Sequence, residues 1–340
     1  MKGTRTKAAV VLVNLGTPKE LTVPAIRSFL RDFLWDRRVV EIPRPIWWII
    51  LNCFVLTLRP RKIIETYSKV WTEEGSPLRV ITERQVKALQ AKLVDSLGDY
   101  APNVVHAMTY GDPKIADTLD LAYKSGSRRI IVLPMYPQYS GSTTGAIYDQ
   151  VAKYMQSNRA LPSLNIINSY FYESAYTGAI SKSIEGFWQQ HGRADYLLFS
   201  YHGIPISYVD KGDPYAGHCE CTTGAVSAQL QLDPERSSMS YQSLFGKAEW
   251  LKPYTAVKLV ELAKAGVKRI DVVCPAFAAD CIETLEEIAM ENAEIFIEAG
   301  GEELRLIPCL NDSALHIDAL EQILMPHILA ITDTAGTISS

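Results

Sequence analysis

Eight short apolar runs, separated by segments of helical periodicity, constrain the fold of this chain more than any other feature. The runs are Ala8–Leu15, Val104–Thr109, Arg129–Leu133, Asn165–Ile167, Tyr196–Ser200, Met239–Tyr241, Arg269–Val273 and Leu304–Ile307. Between them, Glu83–Leu97, Ala175–His191 and Thr255–Ala265 carry apolar residues at helical spacing. Strands alternating with helices in this way predict parallel sheets covered by helices.

The two halves of the chain also resemble each other. "AAVVLVNLGTP" answers to "ADYLLFSYHGIP", and "YKSGSRRIIVLPMYP" answers to "LAKAGVKRIDVVCPAF" with a slip of one residue before the proline. The pairs occur in the same order. With 340 residues, more than one small core usually holds, two domains are expected. The predicted fold is therefore α/β, with two similar doubly wound, Rossmann-like domains and a ligand cleft between them. The expected organisation is a first domain over residues 1–160 with an insertion at about 35–75, a second over 161–311, a C-terminal helix over 312–330 that packs back on the first domain, and a flexible tail over 331–340.

Net charge is −4, so no global basic field is available to hold nucleic acid. The basic then apolar start, "MKGTRTKAAVVLVNLGTP", reads as a first strand rather than a signal peptide. Six irregularly spaced cysteines read as reduced thiols. Inside the insertion lies Ile46 to Leu58, "IWWIILNCFVLTL", which falls short of the roughly 20 residues of a spanning helix. Pro43, Pro45 and Pro60 fence it, and Arg44, Arg59, Arg61 and Lys62 flank it. It is either a buried helix or an exposed apolar lip that rests on a membrane surface or closes over a greasy ligand; Trp47 and Trp48 beside arginines favour the lip.

Ligands of doubly wound sheets bind beyond the carboxyl ends of the strands. Three unusual stretches fall there: "LLFSYHGIP", "PMYPQYSGSTTGA" and "CPAFAADCIETLEE". His202, alone, is as well explained as a structural histidine. Glu283, Glu287 and Glu291 follow at i, i+4 and i+8, three carboxylates on one helix face. Such a face is ordinarily just solvated. With nothing basic interleaved, it is also a route for protons or a hard cation. A histidine and a glutamate from separate loops could hold a divalent iron with open positions. The hydroxyl-rich "PQYSGSTTGA" could cradle an anion, but it lacks the lysine and spacing of a Walker A loop. No Gly-x-Gly-x-x-Gly follows the first strand, which argues against a dinucleotide enzyme.

In combination, "LVNLGTP", "YPQYSGSTTG", "FSYHGIP", "GDPY", "YQSLFGKAEWLKPYT" and "CPAFAADCIETLEE" resemble the ferrochelatases, in order, from about Val10 to Asn311. The resemblance implies insertion of Fe2+ into protoporphyrin IX by a cytoplasmic protein of the bacterial type, one that also touches the inner face of the membrane peripherally through residues 46–58. His202 and Glu283 match the family's catalytic pair and candidate metal ligands. Asp280, Glu287 and Glu291 match the acidic path; Tyr110, Tyr139, Ser140, Thr143 and Trp250 match porphyrin-pocket positions, and Trp47 and Trp48 belong to the lip. In this scheme His202 accepts protons and also ligates iron, with Glu283 its partner across the ring. Thr109 and Cys281 stand where some relatives carry arginine and histidine. Fe2+ is then a substrate, and no tightly bound cofactor is expected. Cysteine-rich tails hold [2Fe–2S] centres in some relatives, and the lack of any cysteine after Cys309 argues against such a cluster here. Competing assignments are a chelatase acting on coproporphyrin or sirohydrochlorin, a porphyrin or metal carrier without catalysis, and a sugar-nucleotide transferase, which would give the carboxylates no role.

Overall fold

A computed structural model describes residues 7–246 and 248–333. Among these residues eight strands form two sheets: β1 (Lys7–Asn14), β2 (Asn103–Met108), β3 (Ser127–Pro134) and β4 (Ser163–Ile166), then β5 (Tyr196–His202), β6 (Ser237–Gln242), β7 (Arg269–Val273) and β8 (Glu303–Leu306). The orders are β2-β1-β3-β4 and β6-β5-β7-β8, and every pairing is parallel. The second sheet repeats the first strand for strand, as the internal similarity predicts.

Thirteen α-helical segments connect the strands among the described residues. They are α1 (Val23–Leu34), α2 (Arg44–Ile50), α3 (Leu56–Ser68), α4 (Pro77–Leu97), α5 (Ile115–Lys124), α6 (Thr144–Ser157), α7 (Ser174–His191), α8 (Ile206–Asp210), α9 (Tyr215–Gln229), α10 (Thr255–Lys264), α11 (Ile282–Leu285), α12 (Ala293–Glu298) and α13 (Ala314–Asp333). In the first sheet, Val11, Val13, Ile130 and Val132 pack against Ile115, Leu119, Ile147 and Val151. In the second, Leu198, Ile270 and Val272 pack against Leu259, Leu262, Ile288 and Phe296. At about 1.5–3 kcal/mol for each fully buried aliphatic side chain, these layers make the strand ends rigid mounts.

The chain divides into two compact units. One runs from the N-terminus to Tyr136, with Gly141–Ser169 and the residues from Ile317 onward; the other comprises Pro137–Ser140 and Tyr170–His316. Within the first unit α13 is tied by Lys92 Nζ to Asp318 at 2.7 Å and by Asn165 Nδ2 to His327 Nδ1 at 2.9 Å. The helix reaches Asp333; of the tail expected over 331–340, residues 334–340 lie outside the described residues.

Two helical boundaries differ from the sequence prediction. α4 starts at Pro77, six residues before Glu83, because a proline at the first helical position loses no hydrogen bond the helix would have made. Pro43 and Pro45 mark the start of α2, but Pro60 does not fence off the other end of residues 46–58. α2 runs through a π turn (Leu51–Val55) into α3, which contains Pro60. The Thr57 hydroxyl donates to the Asn52 and Cys53 carbonyls at 3.1 and 3.0 Å, at the junction where the helical ladder changes step. The stretch is helical, with one side buried and the other exposed. Trp47, Leu51 and Leu56 are buried with α1, whereas Ile46, Trp48, Ile49, Phe54 and Leu58 are exposed. Among the described residues no helix is long and apolar enough to cross a membrane.

Candidate active site

β5 carries His202 at its last position, in register with Gln242 at the end of β6. The next residue, Gly203, donates its N–H to the Gln242 carbonyl at 2.8 Å. A Cβ there would lie 2.9 Å from that oxygen and 3.1 Å from Cε3 of Trp250, so only glycine lets the chain turn this close to its neighbour. The His202 Nδ1 lies 2.7 Å from the Gly203 carbonyl oxygen. A carbonyl only accepts, so Nδ1 carries a proton, and in the neutral ring the lone pair is on Nε2. The imidazole sits 6.2 Å from the Trp250 ring, tilted by 49°.

Gln242 is buried and joins this histidine to the glutamates. Its Oε1 accepts from Ser200 Oγ at 2.8 Å and from the Cys274 thiol at 3.7 Å. Its Nε2 donates to the Glu283 carbonyl at 2.8 Å and to Glu287 Oε2 at 3.3 Å. Ser243, with φ of 65°, completes the cradle: its N–H donates to Glu287 Oε1 at 2.7 Å and its hydroxyl to Oε2. Burial pushes the Glu287 carboxyl above the usual range. The Ser243 and Gln242 donors and the nearby His202 pull it down, while the Glu283 charge pushes it up. His202, Glu283 and Glu287 thus share one electrostatic neighbourhood. Sequence reasoning assigned no part to Gln242 or Ser243. Their signal was a polar pair directly following a strand, at the carboxyl edge where ligands bind; a left-handed serine is not readable from sequence.

The carboxylates do not stand on a regular α-helix, as their spacing predicts. α11 ends at Leu285, and residues Glu287–Asn292 form a π turn in which Glu291 N–H reaches the Glu286 carbonyl at 2.9 Å. Asn292 Nδ2 caps the widened turn on the Glu287 carbonyl at 2.7 Å. Glu283 and Glu287 are half-buried and Glu291 is exposed, so the row grades from interior to solvent.

Three of the predicted site residues have other work. Asp280 is buried and its oxygens are taken by Thr284 Oγ1 at 3.0 Å, Asn311 Nδ2 at 2.6 Å and Cys309 N at 3.3 Å; it ties loops together rather than extending the carboxylate row. Trp47 is 2% exposed and donates Nε1–H to the Leu34 carbonyl at 2.7 Å, so it belongs to the core, whereas its neighbour Trp48 is 56% exposed. Tyr110 is buried against Phe33, its hydroxyl donating to Asp36 Oδ2 at 2.9 Å. Tyr110, Trp47, Trp48 and Thr143, which precedes α6, lie in the first unit. Tyr139, Ser140 and Trp250 lie in the second with His202 and the glutamates. Ser140 Oγ donates to Asp213 Oδ2 at 2.9 Å. All six cysteines are free thiols, and Cys281 caps the start of α11. Among the described residues no group of three or more His, Cys, Asp or Glu side chains is arranged to hold a metal ion.

The two parallel sheets and their strand order define an α/β protein of two Rossmann-like units. SirB from Bacillus subtilis with Fe3+ matches with a TM-score of 0.55 at 10% identity, over 97% of this chain and 98% of that one. The sirohydrochlorin chelatase SirB from Bacillus subtilis subspecies spizizenii in complex with cobalt matches at 0.50 and 10%, over 93% of each. Identity this low speaks for shared architecture alone. Sequence similarity is more particular. The profile described as Ferrochelatase matches residues 7–328. Proteins named ferrochelatase are 48% identical in Psychrobacter sp. (strain PRwf-1), over 96% of both chains, and 48% identical in Photobacterium profundum, over 94% of this chain and 97% of that one. The chain belongs to the ferrochelatase family.

Proposed function

We propose that the protein is a metal chelatase, a lyase that inserts Fe2+ into protoporphyrin IX. Free porphyrin and Fe2+ give haem and two protons. The observation that carries this reading is His202, half-buried at the end of β5 with its Nδ1 held by the Gly203 carbonyl and its charge felt by Glu287, in a chain of the ferrochelatase family.

The chemistry needs a base for the pyrrole protons, a route that removes them and a group that receives iron. His202 Nε2 is the base and an open ligand position, and an imidazole is well matched to proton transfer near neutrality. Glu283 is its partner in receiving iron. Glu287, cradled by Ser243 and Gln242 yet biased towards protonation by burial, takes the proton onward, and the exposed Glu291 delivers it to water. The raised affinity of Glu287 for protons makes it a better relay than an ordinary surface carboxylate, which would be empty of protons at neutral pH. Tyr139, Ser140, Thr143 and Trp250 contact the macrocycle, and binding energy from its apolar faces offsets distortion of the ring.

The exposed side of residues 46–58 supports the greasy protoporphyrin over more carboxylated tetrapyrroles. With Arg59, Arg61 and Lys62 close by in sequence, it also supports peripheral contact with an anionic membrane, at its inner face and from the cytoplasm.

Mixing purified protein with protoporphyrin IX and Fe2+ or Zn2+ and following the absorbance change of metallation tests the assignment. Multiple turnover is expected, with near-complete loss in a folded His202→Ala protein. A carrier would stop at one equivalent, and full activity without His202 would remove the base assigned here.

A further inference from the structure

His218, on the first turn of α9, is the second histidine of this unit that meets a backbone group, and it does so in the opposite sense to His202. The Tyr139 backbone N–H donates to His218 Nδ1 at 3.2 Å. An amide N–H can only donate, so Nδ1 carries the lone pair and Nε2 the proton. The ring is fixed by stacking on Phe171, with centroids 3.7 Å apart and planes 15° apart. Burial lowers its proton affinity while the Asp213 carboxylate raises it; the net effect is downward and keeps the accepting, neutral form.

This bond is one of a series. Pro137 accepts at its carbonyl from Tyr170 N at 3.0 Å, and Gln138 Nε2 donates to Thr222 Oγ1 at 3.0 Å. Ser140 donates to Asp213, which in turn accepts from Tyr215 N at 3.1 Å at the start of α9. Four consecutive residues are therefore held by this unit, and His218 and Thr222, four apart on one face of α9, hold the middle two.

We infer that His218 is a positioning residue that sets the hydroxyl-rich 137–140 segment for porphyrin binding by accepting the Tyr139 N–H. The inference rests on the reading that Tyr139 and Ser140 touch the macrocycle. His218→Phe keeps a ring on Phe171 and removes the acceptor. His218→Asn places an oxygen acceptor near the position of Nδ1. Hydrogen exchange of the Tyr139 amide and fluorescence titration of the full-length protein with protoporphyrin IX, without metal, are measured on both. In the Phe variant the amide exchanges roughly tenfold faster and porphyrin binds roughly fivefold more weakly, and in the Asn variant both return close to wild type. Unchanged exchange in the Phe variant overturns the assigned bond. Faster exchange with unchanged porphyrin affinity overturns the positioning role, as does an Asn variant that folds with the wild-type melting temperature and restores neither quantity. Metallation by the wild-type protein is scored separately, so its failure strikes the proposed reaction and leaves these two readouts standing.

Discussion

The Gly203 N–H and the Gln242 carbonyl lie 2.8 Å apart, and that contact places His202. Alanine at 203 would press on backbone and on the Trp250 ring at once, neither of which yields as a flexible side chain would. Gly203→Ala is expected to cost about 1–3 kcal/mol in denaturant unfolding. It should also lower metallation at least tenfold, because the displaced peptide carries the oxygen that holds the imidazole. A folded variant with wild-type turnover would show that the geometry around His202 is not critical.

Glu287 predicts a pH-dependent cost. Its folded-state proton affinity is raised above the ordinary value of 4.5, so the folded state suffers no electrostatic penalty below that pH and a growing one as pH rises through the folded value. Glu287→Gln removes that penalty but turns an amide nitrogen, which cannot accept, towards the Ser243 or Gln242 donors. Its melting temperature relative to wild type should therefore be lower near pH 4 than at pH 8, by roughly 2 °C. The same variant should metallate porphyrin more slowly. A difference independent of pH would separate the effect from ionisation.

The adjacent tryptophans should behave as opposites. Trp47→Phe removes the donor to the Leu34 carbonyl and is expected to cost about 1 kcal/mol of stability. Trp48→Ser should leave the melting temperature close to wild type and weaken co-sedimentation with anionic lipid vesicles. Equal vesicle binding by wild type and Trp48→Ser would argue against membrane contact through this face.

His316 makes the fold acid-sensitive. It is fully buried, bonded through Nδ1 to the Asn311 carbonyl, and burial pushes it down to about 4. An unfolded histidine binds its proton near 6.5, so stability is complete above that pH and falls as pH drops from 6.5 to about 4. Urea unfolding should show a loss of about 2 kcal/mol between pH 7 and pH 5. His316→Gln should lack that share of the slope.

The strands were legible because each is a short apolar run between helices, and the duplicated order carried over to the observed sheets. The partition of residues 46–58 was not legible. Trp47 and Trp48 differ only by one step around a helix, and which step faces inward depends on where α1 packs. Pro60 misled for a related reason: the π turn before it and the Thr57 hydroxyl alter the local pattern in which a helical proline is otherwise disruptive. Glu283, Glu287 and Glu291 were found from a spacing that suits an α-helix, although the chain widens between them. Gln242, Ser243 and His218 act through hydrogen bonds set by the tertiary fold, and no periodicity announces such bonds.

The repeated Gly-x-Pro turns allow a residue-by-residue comparison of the two halves. Gly16, like Gly203, has no room for a side chain: a Cβ would collide with the Tyr110 carbonyl, just as one at Gly203 would press on Gln242. The residue before each glycine sits at or just past the strand's end, and in the first half it is Leu15, partly buried against the helical insertion. Corresponding turns thus carry an imidazole in one half and a hydrocarbon in the other. The duplication supplies two corresponding positions, although Gly16 has φ of 105° and Gly203 is not left-handed, and Leu15 is the natural place to graft a second imidazole onto this scaffold.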